Sequence, residues 1–190
     1  MFMEPEKKIL LEEEEVQRVV QRMAHEIIEK NGGADGLALI GIRTRGAYLV
    51  RRIAQKIESL TGAAPAVGII DVTAYRDDAT SEELAKNSEA VKAPVSVDEK
   101  SVVLIDDVIY TGRTVRAAMD LIQHLGKPRK ILVAILVDRG ERELPIKADI
   151  VGKNVQVAEG ERVNVLLQES DGIDRVVVTK GREHPSGPRS

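Results

Sequence analysis

Hydrophobic positions in the first 60 residues alternate between two kinds of spacing. Apolar residues recur at i, i+3, i+4 and i+7 over 16–28 and again over 47–60, which predicts two amphipathic helices. Glycines at 32–33 and at 62 follow them and can supply the left-handed residue with which helices commonly end. Between the helices, 37–42 is a short and continuous apolar run, which is typical of a strand covered on both faces.

The same alternation continues through the rest of the chain. A helical period spans 115–125, and further strand candidates are found at 67–75, 102–105, 131–137, 163–168 and 175–179. Alternating strands and helices predict an α/β fold: an open, mostly parallel twisted sheet with helices on both faces. Ligands bind such sheets beyond the carboxyl ends of the strands, so those loops are where chemistry is expected.

One polar segment interrupts this pattern. Residues 77–100 are charged, have weak periodicity and contain a proline, and an insertion of that size is usually functional or disordered. The last ten residues, 181–190, hold two prolines, two glycines and no apolar side chain, which predicts a disordered tail. We therefore expect one domain over 1–180 with an insertion at about 77–100.

Composition excludes several classes of function. With Cys 0, the chain has no disulfides, thiolate metal sites or cysteine nucleophiles, and 2% aromatic residues nearly exclude an aromatic platform for stacking bases. The net charge of −3 excludes a protein that is basic all over, but not a local basic face. Apolar runs stay below the ~18 residues of a membrane span, and the acidic start does not resemble a signal peptide, so a cytoplasmic protein without membrane contact is expected.

The strongest chemical signal lies near the middle of the chain. A buried strand candidate runs into Asp106 and Asp107, then into a tight loop with Thr111 and Gly112 that opens a helix. Free N–H groups at a helix start attract an anion, and Thr114 adds a hydroxyl donor. Carboxylates beside such a cradle make sense if the ligand also carries sugar hydroxyls or a magnesium ion. Each element alone also fits an ordinary strand end or helix cap; their order favours a ligand site.

This segment, 102–114, resembles the motif with which type I phosphoribosyltransferases bind phosphoribosyl pyrophosphate (PRPP). The likeness extends over about 16–178. It is closest to the members that are both uracil phosphoribosyltransferases and regulators of pyrimidine operons. The other segments that carry it are 22–29, 41–46, 71–78, 137–140, 142–149 and 152–154.

The resemblance implies a role for each part of the motif. Asp106 and Asp107 would hold the ribose hydroxyls, the loop up to Thr114 would hold the 5′-phosphate, and the loop around Arg45, with a strained or cis peptide, would hold the pyrophosphate. Residues 77–100 would form a flexible hood hairpin that closes over PRPP, with Arg76 at its hinge. The implied PRPP-binding set is Thr44, Arg45, Gly46, Asp106, Asp107, Val108, Tyr110, Thr111, Gly112, Arg113 and Thr114, of which Arg45, Asp106 and Asp107 are also the implied catalytic residues.

The implied reaction is displacement of pyrophosphate from PRPP by uracil to give UMP, with Mg²⁺ bound through PRPP near the two aspartates. Uracil is expected beside Arg139 and Val163. Purine-specific members carry an aspartate where this chain has Tyr110, which argues against a purine substrate. Orotate and purines nevertheless stay open as alternative bases.

The resemblance also implies a second role: binding of pyrimidine-operon leader mRNA, in complex with UMP or UTP, to control transcription by attenuation. The implied basic face comprises Arg22, Arg142, Lys147 and Lys153. The chain departs from the family at Glu141, where a histidine is common, and over 155–161, where acids enter. Because acids oppose phosphate binding, an enzyme without RNA binding remains an alternative. The family relationship further implies a homodimer or a higher homo-oligomer.

Overall fold

The computed structural model describes residues 8–72, 91–93 and 95–180. The helices of this part of the chain are α1 Glu13–Asn31, α2 Gly46–Thr61, α3 Arg113–Leu125 and α4 Gln168–Asp171. Its strands are β1 Lys8–Leu11, β2 Leu37–Ile42, β3 Ala66–Ile70, β4 Val91–Ala93, β5 Ser101–Ile109, β6 Lys130–Asp138, β7 Ile150–Asn154, β8 Glu161–Leu166 and β9 Arg175–Lys180.

The main sheet has the strand order β4-β3-β2-β5-β6-β7. Its strands run parallel except β4, which is antiparallel to β3. From β2 the chain proceeds outward to β3, whereas from β5 it proceeds in the opposite direction to β6 and β7. The strand order therefore reverses between β2 and β5, and the loops that follow these two strands open on one cleft, the usual ligand position in open α/β sheets.

Helices cover both faces of this sheet. Leu39 and Val103 face α1 and α2 in one hydrophobic cluster, whereas their strand neighbours Ile40 and Leu104 face α3 in another. Successive strand residues point to opposite faces, so β2, buried at every position, needs apolar side chains throughout. This arrangement confirms the fold class predicted from the sequence.

A separate three-stranded antiparallel sheet, β1-β9-β8, was not predicted. Sequence analysis identified β8 and β9 as strands but missed β1, β7 and the division into two sheets. Leu11, Val165 and Val176 from the small sheet are buried in the same cluster as α1 and α2. Apolar and polar residues alternate along β8, as expected for a sheet with only one covered face. Strand β8 also contacts β5 of the main sheet.

Two strands differ most from their predicted bounds. Strand β5 continues past residue 105 to Ile109, since its pairing with β6 extends as far as Asp138. Strand β3 ends at Ile70. Most of the predicted hood, Arg76 and the predicted tail lie outside the described residues; β4 is the part of the hood segment that the structure describes as a strand.

The ends of α1 follow local rules. Glu12 and Glu15 form a reciprocal capping box, with Glu12 N–H donating to Glu15 Oε2 at 2.9 Å. Gly32 ends the helix with φ 75°, a left-handed conformation that glycine adopts without steric cost. Within the described ranges, no helix is long and apolar enough to cross a membrane.

Candidate active site

A cleft of about 600 Å³ lies at the carboxyl edge of the main sheet, between the loops that follow β2 and β5. It is lined by 43–45, by 106–115 and by Val163 of β8. Every member of the predicted PRPP-binding set lines this cleft except Gly46. The structure thus brings together residues from positions 43 to 163, while their roles toward a ligand stay predictions.

Gly46 contributes to the cleft without lining it. A Cβ atom at this buried position would lie 2.6 Å from the Ile105 carbonyl oxygen and 3.5 Å from Asp106 Oδ1. Only glycine therefore lets the start of α2 approach β5 this closely. This contact holds the loop after β2 against the strand that carries the aspartates.

The loop after β2 presents two arginines. The peptide between Arg43 and Thr44 is cis, in the loop where the family resemblance implied such a bond. Arg43 N–H donates to the Ile70 carbonyl oxygen at 2.8 Å, which ties the loop to the neighbouring strand. Arg45 is the N-cap residue of α2, and both arginines line the cleft. Their positive charge suits a polyanionic ligand group.

The two adjacent aspartates occupy different environments. Asp106 is buried at 7% exposure, and its Oδ1 accepts a hydrogen bond from Asp107 N–H at 2.9 Å. Asp107 is more exposed and also lines a neighbouring cavity of about 240 Å³ together with Val163 and Asn164. Because neighbouring strand side chains diverge, the pair offers two separate carboxylates instead of one chelate.

The start of α3 has the features of an anion site. Gly112, with φ 94°, is the N-cap residue; the cap lacks a side-chain hydrogen bond, and the first turn contains no acidic residue. Thr111 Oγ1 accepts from Arg113 N–H at 3.3 Å, which holds its hydroxyl at the cleft. Helix dipole and backbone amides therefore favour a bound phosphate here.

The segment between β6 and β7, residues 139–149, supports this loop from behind. Glu143 and Leu144 N–H groups both donate to the Thr111 carbonyl oxygen, at 3.0 and 3.1 Å. Arg142 donates to the Tyr110 carbonyl oxygen at 3.1 Å and pairs with Asp138 at 2.6 Å. Burial raises the pKa of Asp138, but hydrogen bonds from Arg142 and from a backbone amide outweigh it and leave the pKa below its usual range. Arg142 is thus committed to a structural tie.

The two residues predicted to lie near uracil differ in position. Val163 lines the cleft directly. Arg139, with its side chain 12% exposed, stacks on Tyr110 with its guanidinium carbon 3.9 Å from the ring centroid, and does not itself line the cleft. Tyr110 is 43% exposed and forms part of the wall. Arg139 therefore contacts the cleft through the Tyr110 ring.

The four predicted RNA-binding residues do not form one cluster. Arg22 and Lys153 line a depression of about 330 Å³ between α1 and β7, where Arg22 donates to the Val151 carbonyl oxygen. Arg142 is held in the 139–149 segment by internal bonds, and Lys147 is exposed on the same segment. The structure therefore brings Arg22 and Lys153 together and leaves the other two apart.

Comparison with known proteins places this site in a family. A model of the phosphoribosyl transferase domain matches residues 7–166. The Bifunctional protein PyrR of Pelotomaculum thermopropionicum is 51% identical over 178 residues, which cover 94% of this chain and 98% of that protein. The namesake from Bacillus mycoides is 48% identical over 91% of this chain and 97% of that protein. The chain belongs to the PyrR family of phosphoribosyltransferases. The resemblance found in the sequence is confirmed.

Solved structures agree on the fold of this phosphoribosyltransferase. A hypoxanthine phosphoribosyltransferase from Staphylococcus aureus superposes with a TM-score of 0.68 at 20% identity, covering 93% of both chains. The enzyme of the same name from Trypanosoma cruzi gives 0.70 at 19% identity, covering 92% of this chain and 97% of that one. At such identities the likeness concerns the fold alone.

Phosphoribosyltransferases generally use PRPP with Mg²⁺. Among the described residues, no group of three or more His, Asp or Glu side chains could hold a metal. Asp106 and Asp107 supply two carboxylates, and Mg²⁺ is commonly bound by one or two carboxylates together with substrate phosphates and water. The residues therefore fit a magnesium ion that arrives with a diphosphate.

Sequence reasoning missed one charged residue at the site. Asp171 of α4 pairs with Arg45 at 3.1 Å, although 126 positions separate the two residues. Asp171 lies in a four-residue helix between β8 and β9, and no periodicity marks it. Only the position of the small sheet reveals the contact.

Proposed function

We propose that this protein makes UMP and pyrophosphate from uracil and PRPP, and that its uridine-nucleotide complex binds pyrimidine-operon leader mRNA. The single observation that supports the enzyme assignment best is the shared cleft. It combines an anion-binding helix start, two separate carboxylates and two arginines at the point where the strand order reverses. We expect it to act in the cytoplasm as a homodimer or higher homo-oligomer.

Each part of PRPP finds a matching group in this cleft. The 5′-phosphate binds the first-turn amides of α3 with the hydroxyls of Thr111 and Thr114. The ribose hydroxyls donate to Asp106 and Asp107, whose ionised carboxylates act only as hydrogen-bond acceptors. The pyrophosphate binds the loop of Arg45, which supplies planar N–H donors.

The chemistry requires no protein nucleophile. The bond from C1 of the ribose to pyrophosphate breaks with its electron pair on the departing oxygen, a bond from C1 to N1 of uracil forms, and the N1 proton passes to solvent water. As the C1–O bond lengthens, positive charge develops on the sugar, and the Asp107 carboxylate stabilises it. Magnesium, when bound, supplies charge that neutralises the departing pyrophosphate. Fixed positions for both reactants supply much of the remaining acceleration.

The base preference tests the enzyme assignment. Purified protein is incubated with PRPP and Mg²⁺ and with uracil, orotate, hypoxanthine or guanine, and nucleotide products are separated by chromatography. UMP is expected to form at least about a hundredfold faster than the other nucleotides, since polar base contacts discriminate strongly. If a purine nucleotide or orotidylate forms preferentially, the corresponding base, and not uracil, is the substrate.

The basic residues predicted to bind RNA lie close to acidic ones. The depression of Arg22 and Lys153 has both Arg18 and Glu15 on its wall, and Arg22 pairs with Glu26. Glu159 is exposed on the loop that follows β7, and Glu141 pairs with Arg139 at 3.4 Å. The acids weaken a phosphate-binding face but leave these basic residues in place.

Charge reversal at Lys153 tests the RNA assignment. Lys153→Glu is expected to weaken retention of a pyrimidine-operon leader stem-loop in the presence of UMP and to reduce the slope of log K against log salt by about 1 or more. UMP formation should not change. Lys56→Glu on the exposed side of α2 is the matched control and should retain wild-type RNA binding. An active wild type that fails to retain RNA at low salt would be an enzyme only.

A further inference from the structure

The cleft arginine at the start of α2 is bonded to an element of the small sheet. Arg45 Nη2 lies 3.1 Å from Asp171 Oδ1 and 3.3 Å from Asp171 Oδ2. Both side chains are partly buried, at 33% and 22% exposure. Arg45 Nε is buried without a hydrogen-bond partner, so the ion pair is the guanidinium's polar anchor within the protein.

Asp171 is itself held in place. Its Oδ2 accepts hydrogen bonds from Leu167 N–H at 2.9 Å and from Ser170 Oγ at 2.7 Å, which closes the turn of α4. These bonds, with a smaller contribution from Arg45, lower the pKa of Asp171 below its ordinary value. Asp171 is therefore ionised at neutral pH, and its carboxylate orientation is fixed by its own helix.

The whole of α4 is clamped to α2. Arg52, two helical turns after Arg45, donates to both oxygens of Asp174 at 2.7 and 2.8 Å and from Nε to Glu169 at 2.8 Å. Asp174 is only 5% exposed, and its Oδ1 also accepts from Gln168 N–H. A half-buried arginine with two carboxylate partners links α4 firmly to α2, the helix that begins beside Arg45.

We propose that Asp171 is a positioning residue that holds the Arg45 guanidinium in the cleft for the pyrophosphate group of PRPP. The inference rests on the proposed function. An arginine side chain has many accessible rotamers, and restricting it to one costs conformational entropy. If Asp171 restricts it before the ligand binds, binding does not bear that entropy cost. The pair uses Nη2 and Nε is buried, so the N–H donors of Nη1 remain for phosphate oxygens.

The alternative is that Asp171 competes with pyrophosphate for the Arg45 guanidinium and so weakens binding. Two observations argue against it. Arg43 also lines the cleft, so the Arg45–Asp171 pair does not remove all of its positive charge, although Arg113 on the same wall pairs with Glu143 at 2.6 Å. The carboxylate is locked by bonds to Leu167 and Ser170 and does not need Arg45 to remain ionised. Asp171 therefore guides the arginine without having to release it.

The test compares Asp171→Asn with Glu169→Gln. Asparagine keeps an oxygen for the Leu167 amide but removes the charge that faces Arg45. In Asp171→Asn, KM for PRPP from initial rates and the Kd for magnesium pyrophosphate from calorimetry should both rise about five- to tenfold. The kcat should stay within about twofold of wild type. Asp171→Glu should recover part of the loss. Glu169→Gln removes a charge from the same helix and leaves Arg52 paired with Asp174; it should lower the unfolding temperature without changing KM for PRPP.

Each outcome separates this inference from the proposed function. If the wild type forms UMP and Asp171→Asn binds PRPP and pyrophosphate as well as or better than wild type, the positioning role is wrong and the enzyme assignment stands. Equal KM increases in Asp171→Asn and Glu169→Gln would show that Asp171 only stabilises α4. That result would also contradict the positioning of Arg45. If the wild type forms no UMP while Asp171→Asn still weakens pyrophosphate binding, the function fails and the positioning role survives.

Discussion

Replacement of Asp107 by asparagine is expected to lower kcat about a hundredfold, with little effect on the unfolding temperature. Asp107 lines the cleft on the exposed side of the aspartate pair and has no ion-pair partner among the described residues. Its loss therefore removes negative charge from the reacting sugar without breaking a structural contact. Asparagine has nearly the same shape, so the change isolates the charge.

Initial rates at saturating PRPP and uracil measure this effect, and a thermal melt of the same preparation measures stability. Asp120→Asn on α3 is the matched control, because Asp120 forms only a long, exposed pair with Arg116, at 3.9 Å. It should retain wild-type kcat. Full activity of Asp107→Asn would contradict the assignment of Asp107 to the sugar. Asp106 is the poorer probe, since its buried carboxylate accepts the Asp107 amide and its substitution also perturbs the strand.

The sequence predicts the central strands and the long helices well because their signals are local. Apolar continuity marks β2, and a period of 3.6 together with Gly32 marks α1 and its end. The extent of β5 is different. Its continuation through Asp106 and Asp107 depends on pairing with β6, which extends as far as Ile109 opposite Asp138. Pairing between strands that are distant in the sequence cannot be detected in a stretch of about ten residues, so the length of β5 was not predicted.

The candidate site likewise has a part that local sequence signals predict and a part that depends on contacts between distant segments. Thr111 and Gly112 could be proposed from a strand, loop and helix that are contiguous in the chain. The contacts from other elements could not: Asp171 reaches Arg45 through the small sheet, and Arg142 bonds to Tyr110 through a long loop. Charged side chains on short irregular segments have no periodicity, so only tertiary structure assigns their partners.

Replacement of Gly46 by alanine is expected to lower the free energy of unfolding by about 2–3 kcal/mol and to raise KM for PRPP at least about tenfold. The new Cβ would lie 2.6 Å from the Ile105 carbonyl oxygen, a backbone atom that cannot move aside as a flexible side chain could. Either α2 or β5 must shift. Arg45 and Asp106 lie next to the contact on those two elements, so the shift separates the groups proposed to bind pyrophosphate and ribose.

Chemical denaturation gives the stability change, and PRPP titrations on the folded protein give KM. Gly152→Ala is the matched control: its Cβ would also meet a backbone carbonyl oxygen, that of Leu136, and lie 2.6 Å from a Val19 methyl group, but on the face of β7 that meets α1. It should lose comparable stability and keep the wild-type KM for PRPP. If both variants raise KM equally, general loosening of the sheet explains the effect. If only Gly46→Ala does, close packing of α2 on β5 sets the geometry of the cleft, because both variants carry the same added methyl group.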